Sequence, residues 1–307
     1  VTRHLIDLEV LGPDGIAQVL ALSEPARDAT LAGRSVAMVF EKPSVRTRNS
    51  TEMAVVDLGG HPVMITDAEV GIDRRETAED VANTLGCYHQ VVAARVNDHR
   101  VLERMAAALD ARDSGVSVVN LLSDRSHPCQ GLADALTMRQ EFGPSLAGRQ
   151  VAYVGDANNV TVSLAQVSLA LGAEVVIAAP KGYQLSEADL AALAPFGAAT
   201  GAQVRQTDDP SEAAKGSHVL YTDVWTSMGQ EAEREQRLVD LASYTIDEAL
   251  LMSAASDAIV MHCLPAHRGE EISAEVLAAP ASRIWVQAGH RRTAMRGVLR
   301  WVSGVGS

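Results

Sequence analysis

Short apolar runs alternate along this chain with segments whose apolar residues recur every three or four positions, the pattern of parallel strands joined by helices. In the first half, Ser35–Phe40, Val63–Thr66, Gln90–Arg95 and Val116–Leu121 read as strands, and Arg46–Leu58, Thr77–Tyr88 and His99–Leu109 as helices. The pattern restarts with strands at Gln150–Gly155, Glu174–Ala179, Gln203–Thr207, His218–Thr222, Ala258–Cys263 and Arg283–Gln287, and helices at Val160–Leu171 and Ser186–Ala194. Between the halves, Phe142–Gly148 carries Gly143, Pro144 and Gly148, which mark a domain boundary. The expected fold is therefore α/β, with two domains, each a parallel sheet flanked by helices, spanning residues 1–143 and 144–287. A last amphipathic helix, Arg292–Val302 within the segment 288–307, is expected to pack back on the first domain.

Size and composition agree with that division. A chain of 307 residues exceeds one ordinary core, and 47% hydrophobic with 21% charged residues is a globular rather than a disordered composition. The net charge of −13 opposes non-specific binding to nucleic acid or to an anionic membrane, so any anionic ligand needs a local cationic pocket. No apolar run approaches the ~18 residues that would span a bilayer, and the acidic residues in Val1–Glu9 break the apolar core a signal peptide requires. Cys87, Cys129 and Cys263 are odd in number and lack CxxC spacing, which argues against a disulfide framework or a structural zinc site. A cytoplasmic protein is the expectation.

In open α/β sheets, ligands bind beyond the carboxyl ends of the strands. After the first strand comes Glu41-Lys42-Pro43-Ser44-Val45-Arg46-Thr47-Arg48, a helix start with Ser44 at or near the N-cap. Free N–H groups there favour an anion, Arg46 and Arg48 add forked donors, and the hydroxyls of Ser44 and Thr47 complete a phosphate cradle. The same residues also make a well-capped, solvated basic helix start. Arg95, at a strand end, is a further candidate for the anionic pocket, or a snorkelling arginine. His127-Pro128-Cys129-Gln130 places a His and a Gln in one turn, where both can donate to a carbonyl oxygen that gains charge during nucleophilic attack; a cap or packed polar turn is the bland alternative.

In the second half, Gly155-Asp156-Ala157-Asn158-Asn159 occupies the place of a dinucleotide fingerprint but lacks its glycines, so nicotinamide binding is poorly supported. The asparagines either cap the helix or hold an amino acid's carboxylate and amine. Asp223-Val224-Trp225-Thr226-Ser227-Met228-Gly229 is a capped turn or an amino-acid subsite, with Asp223 suited to an ammonium group and Ser227 to the rest of the head group. In His262-Cys263-Leu264-Pro265, neighbours on a strand point to opposite faces, so His262 and Cys263 are not expected to form a dyad; Cys263 is read as a wall of the amine pocket or as a buried inert thiol.

Together, Ser44–Arg48, His127–Gln130, Asp223–Gly229 and His262–Pro265 resemble the ornithine carbamoyltransferases, in family order and across nearly the whole chain. The first two motifs are shared in outline with aspartate carbamoyltransferases, and the latter two are similar to the ornithine branch. The resemblance implies that Ser44, Val45, Arg46, Thr47, Arg95, His127, Gln130, Cys263, Leu264 and Arg291 bind carbamoyl phosphate, with Arg95, His127, Cys263 and Arg291 catalytic. It assigns Asn159, Asp223, Ser227 and Met228 to ornithine. It also implies a homotrimer or a multiple of one, with no metal and no cofactor.

Three positions depart from the family pattern. Val45 stands where a threonine is frequent, which removes a hydroxyl but leaves the backbone N–H. The loop Ala68–Arg75 lacks the glutamine that many relatives lend to a neighbouring subunit, with Arg74 or Arg75 as its candidate replacement. Ala288-Gly289-His290-Arg291-Arg292 differs from the usual version, leaving Arg291 and Arg292 as competing candidates. The expected reaction is direct attack of a neutral amine on carbamoyl phosphate, giving citrulline and phosphate. A carbamoyltransferase with another acceptor, a non-catalytic sensor and, distantly, a nicotinamide oxidoreductase are the alternatives.

Overall fold

The structure is a computed structural model and describes residues 2–25, 27–226 and 231–306. Two compact units divide the chain, one of residues 1–133 with 289–307 and the other of residues 134–288. The first contains α1 (Gly12–Ser23), β1 (Ser35–Phe40), α2 (Val45–Asp57), β2 (His61–Thr66), α3 (Asp67–Val70), α4 (Ala78–Gly86), β3 (Val91–Arg95), α5 (His99–Asp110) and β4 (Ser117–Leu122). Next comes α6 (Pro128–Phe142), then β5 (Gln150–Val154), α7 (Asn159–Ala170), β6 (Glu174–Ala178), α8 (Glu187–Gly197), β7 (Val204–Thr207), α9 (Pro210–Ala214) and β8 (Val219–Thr222). The chain ends with α10 (Arg234–Asp240), α11 (Glu248–Ser253), β9 (Ile259–His262), α12 (Ala274–Ala278) and α13 (Ile284–Val302). The expected two-sheet α/β fold is the one observed. No helix among the described residues is long and apolar enough to cross a membrane.

In the first unit four parallel strands run in the order β2-β1-β3-β4. The middle strands are buried nearly throughout, which is why β1 and β3 read as unbroken apolar runs rather than alternating ones. Val39, Val92 and Ala94 share a core with Val81 of α4 and Leu102 and Met105 of α5. Beyond β4, Leu5 adds a further rung, donating its N–H to Val118 O at 2.8 Å and accepting from Asn120 N at 2.7 Å.

The helix α1 has no counterpart in the sequence reading. Its N-cap is Leu11, whose side chain cannot cap, so the usual polar start signal is missing. Against α1 lies Gly297 of α13: a Cβ there would fall 2.1 Å from Ser23 Oγ and 2.5 Å from Val19 O. The last helix thus packs back on the first unit, as expected, and only glycine permits the approach.

The second unit has five parallel strands in the order β7-β6-β5-β8-β9. Val154, Val176, Leu220 and Val260 form its core with Leu241, Tyr244, Ile246 and Ile284. One strand expectation fails here. Arg283–Gln287 is not a strand: pairing ends where Arg283 N meets Val260 O at 2.9 Å, and Ile284 opens α13. An apolar run as short as Ile284-Trp285-Val286 fits either structure locally. Burial of Ile284, Gln287, Arg291, Met295 and Val298, with Trp285 exposed, shows that the helical period governs it.

The division between units falls between Ala133 and Asp134, inside α6, whereas the glycine-rich segment Phe142–Gly148 lies at that helix's end. The short helices α9, α11 and α12 run too briefly to display a period, although Asp209, Asp247 and Ser273 cap their starts.

Candidate active site

In each sheet the strand order reverses direction at one point, between β1 and β3 in the first unit and between β5 and β8 in the second. Helices on either side of such a point diverge and leave a crevice at the strands' carboxyl ends. The candidate residues cluster at these two places.

In the first unit, Ser44 is the extended N-cap of α2, and its hydroxyl accepts the Thr47 N–H at 3.3 Å. Its first turn contains no acidic residue, so the field of the helix start is not cancelled by its own side chains. Val45 is 77% exposed, so its side chain makes little packing contact. Arg48, by contrast, is drawn along the helix surface by Glu52 at 2.9 Å, which leaves Arg46 as the arginine of this segment that acts on His127.

Arg95 is buried at the end of β3, where the ladder register shifts between Ala94 and Arg95. His127 and Gln130 are buried at the start of α6. Arg291, on α13, reaches them: its guanidinium donates to Gln130 Oε1 at 2.5 Å and lies 3.4 Å from both His127 Nε2 and Thr47 Oγ1. A guanidinium only donates, so Nε2 is the imidazole's acceptor nitrogen and Nδ1 carries the proton. Burial, then the charges of Arg291, Arg95 and Arg46, hold the His127 pKa well below the usual imidazole range. The histidine is therefore neutral at physiological pH, and the three arginines concentrate positive charge around it.

Of the two adjacent arginines, Arg291 enters this cluster and Arg292 does not. Consecutive helical residues diverge by about 100°, and Arg292 instead binds the buried carboxylate of Asp57 at 2.5 and 2.6 Å, joined by Arg296 at 3.0 Å. These hydrogen bonds, Arg292's foremost, hold the Asp57 pKa at about 2. Arg74 is likewise turned to Asp67, and Arg75 donates to Glu69 O at 3.0 Å, so both loop arginines engage their own segment.

In the second unit, Gly155 follows β5 with φ +134°, and a Cβ there would lie 3.3 Å from Thr222 Oγ1 and 3.5 Å from Trp225 Nε1. This close approach brings the β5 and β8 loops together. Asn158 caps α7, its Oδ1 accepting from Val160 N and Thr161 N, while its Nδ2 donates to Asp223 Oδ2 at 3.2 Å. Asn159, which the family resemblance assigned to ornithine, stands at the first helical position, half-buried, next to Asn158.

Asp223 also accepts the Val224 N–H at 2.8 Å and the Cys263 thiol at 2.7 Å. Fixed donors on both oxygens orient this buried carboxylate before any ligand arrives. His262 forms no dyad with Cys263 because both its ring nitrogens are engaged elsewhere: its Nδ1 accepts the Leu264 N–H at 2.8 Å, so Nε2 bears the proton and donates to Glu271 Oε1 at 3.1 Å. The Leu264 N–H bond supports that residue at φ +62°, a left-handed conformation that costs a branched residue about 1 kcal/mol or more. With both ring nitrogens engaged, His262 offers no lone pair to a metal, although its ligand atoms approach those of Asp223 and Cys263 within 4.8 Å.

Beneath this loop, Asp156 is buried against Arg237, whose guanidinium donates to it at 2.8 Å and to Trp225 O at 3.0 Å. Burial nevertheless raises the Asp156 pKa to about 6, outweighing Arg237. Nothing in the sequence marked Arg237 or Glu271 as partners of the site. Ser227 and Met228, expected to hold the amino acid, lie outside the described residues.

Two α/β units, one massing arginines around a neutral histidine and one presenting an oriented carboxylate beside a thiol, fit a transferase with an anionic donor and an amine acceptor. Two known family models match the chain: residues 3–140 the carbamoyl-P binding domain of aspartate/ornithine carbamoyltransferase, and residues 147–302 its Asp/Orn binding domain. The chain belongs to the aspartate/ornithine carbamoyltransferase family. It is 48% identical to an ornithine carbamoyltransferase of Acidothermus cellulolyticus, over 98% of this chain and 96% of that protein. To that of Thermus thermophilus it is 43% identical, over 97% and 95% of the two chains. The solved ornithine carbamoyltransferase of Pyrococcus furiosus superposes with a TM-score of 0.92 at 39% identity, covering 99% of each chain.

Proposed function

We propose that this carbamoyltransferase moves the carbamoyl group of carbamoyl phosphate onto the side-chain amine of L-ornithine, giving L-citrulline and phosphate. The observation that carries this reading is the buried convergence of Arg291 with Thr47, His127 and Gln130, with Arg46 and Arg95 adding charge. Such a cluster suits a ligand that combines a phosphate with a carbonyl. The N-terminal amides of α2, Ser44 and Arg46 hold the phosphate; Thr47, Arg95, His127, Gln130 and Arg291 surround the carbamoyl oxygen, whose negative charge grows as the amine attacks.

The acceptor amine loses a proton before it attacks, because an ammonium nitrogen has no lone pair. The N–C bond then forms, the tetrahedral intermediate collapses, and the C–O bond to phosphate breaks. Asp223, with Asn159, Ser227 and Met228, holds the amino-acid part of ornithine, while Cys263 and Leu264 line the reacting end. An acidic centre at Asp223 favours an acceptor with a cationic amine over aspartate, whose second carboxylate it would repel. No covalent intermediate and no cofactor enter this scheme. The same reading places the enzyme in the cytoplasm as a homotrimer or multiple of one, serving arginine formation or a urea-cycle-type step.

The test is to supply carbamoyl phosphate with ornithine, putrescine, lysine or aspartate and to measure ureido product and phosphate together. Selective citrulline formation with equimolar phosphate supports the proposal. Product from another amine alone would transfer the chemistry to that acceptor, and binding of carbamoyl phosphate without phosphate release would make the protein a sensor.

A further inference from the structure

Outside the residues assigned to the two ligands, a second cluster of potential ligand atoms forms where the chain turns after β9. The turn closes by Glu270 N donating to His267 O and Gly269 N to Ile272 O, each at 2.9 Å. It brings His267, Glu270 and Glu271 onto one side. Their ligand atoms, one from each residue, all lie within 4.8 Å of one another.

The hydrogen bonding of this cluster is incomplete in a specific way. Glu271 is fully buried, and its Oε1 accepts both the His262 Nε2–H at 3.1 Å and the His267 N–H at 2.5 Å. Its Oε2 and the ring Nδ1 of His267 are buried atoms with no hydrogen-bond partner among the described residues. They face each other at 3.9 Å, and Nδ1 stands 3.7 Å from Glu270 Oε2. Both separations exceed a hydrogen bond. A buried acceptor left unsatisfied costs about 1–3 kcal/mol, more when charged, so something should fill the gap.

We propose that His267 Nδ1, Glu270 Oε2 and Glu271 Oε2 bind an exchangeable divalent cation of the Mn²⁺/Zn²⁺ type. With ligand bonds of about 2.0–2.2 Å, neighbouring ligands of one ion lie roughly 3–3.5 Å apart, so the two separations from His267 Nδ1 need contract by only a few tenths of an ångström, and the ligand atoms all start within 4.8 Å of one another. One imidazole nitrogen with two carboxylate oxygens suits these ions better than Mg²⁺ or Ca²⁺, which favour oxygen alone. The His267 side chain is 40% exposed, which leaves room for water to complete the shell and for the ion to enter. Arg234 holds the other oxygen of Glu270 at 2.5 Å, and its charge weakens the site without occupying the ligand atom. The ion is therefore exchangeable rather than structural, and it plays no part in the transfer chemistry.

Mn²⁺ is the probe, because it disfavours the thiol of Cys263 and its free form is counted by electron paramagnetic resonance. The full chain, stripped with chelator, should bind about one Mn²⁺. His267→Ala and Glu270→Ala should each weaken binding at least about tenfold, Arg234→Ala should tighten it, and Cys263→Ser should leave it within about twofold. Thermal melts of the same variants distinguish loss of the site from loss of the fold. Absence of binding up to about 1 mM Mn²⁺ would overturn the proposal. So would binding that survives both His267→Ala and Glu270→Ala, or that disappears in Cys263→Ser.

Discussion

The two candidate-site clusters of this chain handle charge in opposite ways. In the first unit, Arg46, Arg95 and Arg291 gather around His127, Gln130 and Thr47, and burial with those same arginines keeps the histidine neutral. In the second, the centre is one carboxylate, Asp223, already supplied with donors by Asn158, Val224 and Cys263. Arginines massed beside a neutral histidine favour an anionic ligand and any negative charge that develops during reaction. A carboxylate given several donors in advance is fixed in direction and contributes less new attraction. The cationic cluster should therefore set the rate, and the acidic one the orientation and choice of acceptor.

The largest effect is expected from Arg291→Ala, which removes a buried donor next to the developing charge. Steady-state kinetics should show kcat/KM reduced by about 10³-fold, or ~4 kcal/mol, with most of the loss in kcat. A loss below tenfold would contradict the assignment of this arginine and return Arg292 to consideration. Next, Asp223→Asn should lower kcat/KM for ornithine by about 10²-fold while the KM for carbamoyl phosphate changes less than about threefold. Equal damage to both substrates would erase the division of labour between the units.

Arg292→Ala should spare turnover and reduce stability by about 1–2 kcal/mol, because it strips the principal partner from Asp57. The folded-state pKa of Asp57, about 2, lies below the ordinary carboxylate value. Its stabilisation is thus complete above pH ~4 and lost as pH falls toward 2. Acid titration of Arg292→Ala, followed by circular dichroism, should move the unfolding midpoint to higher pH, and an unchanged midpoint would remove Asp57 as the cause. The smallest effect belongs to Val45→Thr: the side chain is exposed and the proposed contact to the anion is its backbone N–H, so kcat/KM should stay within about threefold.

Much of this was legible along the chain because it is encoded locally. The run Ser35–Phe40 is the observed β1, and most other strand limits lie within one or two residues of their expected positions, since a buried parallel strand writes itself as a continuous apolar stretch. Ser44 at the start of a helix without acidic first-turn residues was visible for the same reason. The failures arose where a local pattern allows two answers. Ile284-Trp285-Val286-Gln287 suits a strand until burial shows a helical face, and α1 was hidden because Leu11 gives no capping signal.

The sequence by itself determined the two-domain α/β class, most of the strands and four ordered motifs, because periodicity and capping act over a few residues. Only the tertiary structure decided which of two neighbours faces a site. Arg291 joins His127 while Arg292 is taken by Asp57, and Arg48 turns aside to Glu52. These choices depend on rotation about a helix and on partners as far as 235 positions away in the chain, such as Asp57 for Arg292, and no local pattern records them.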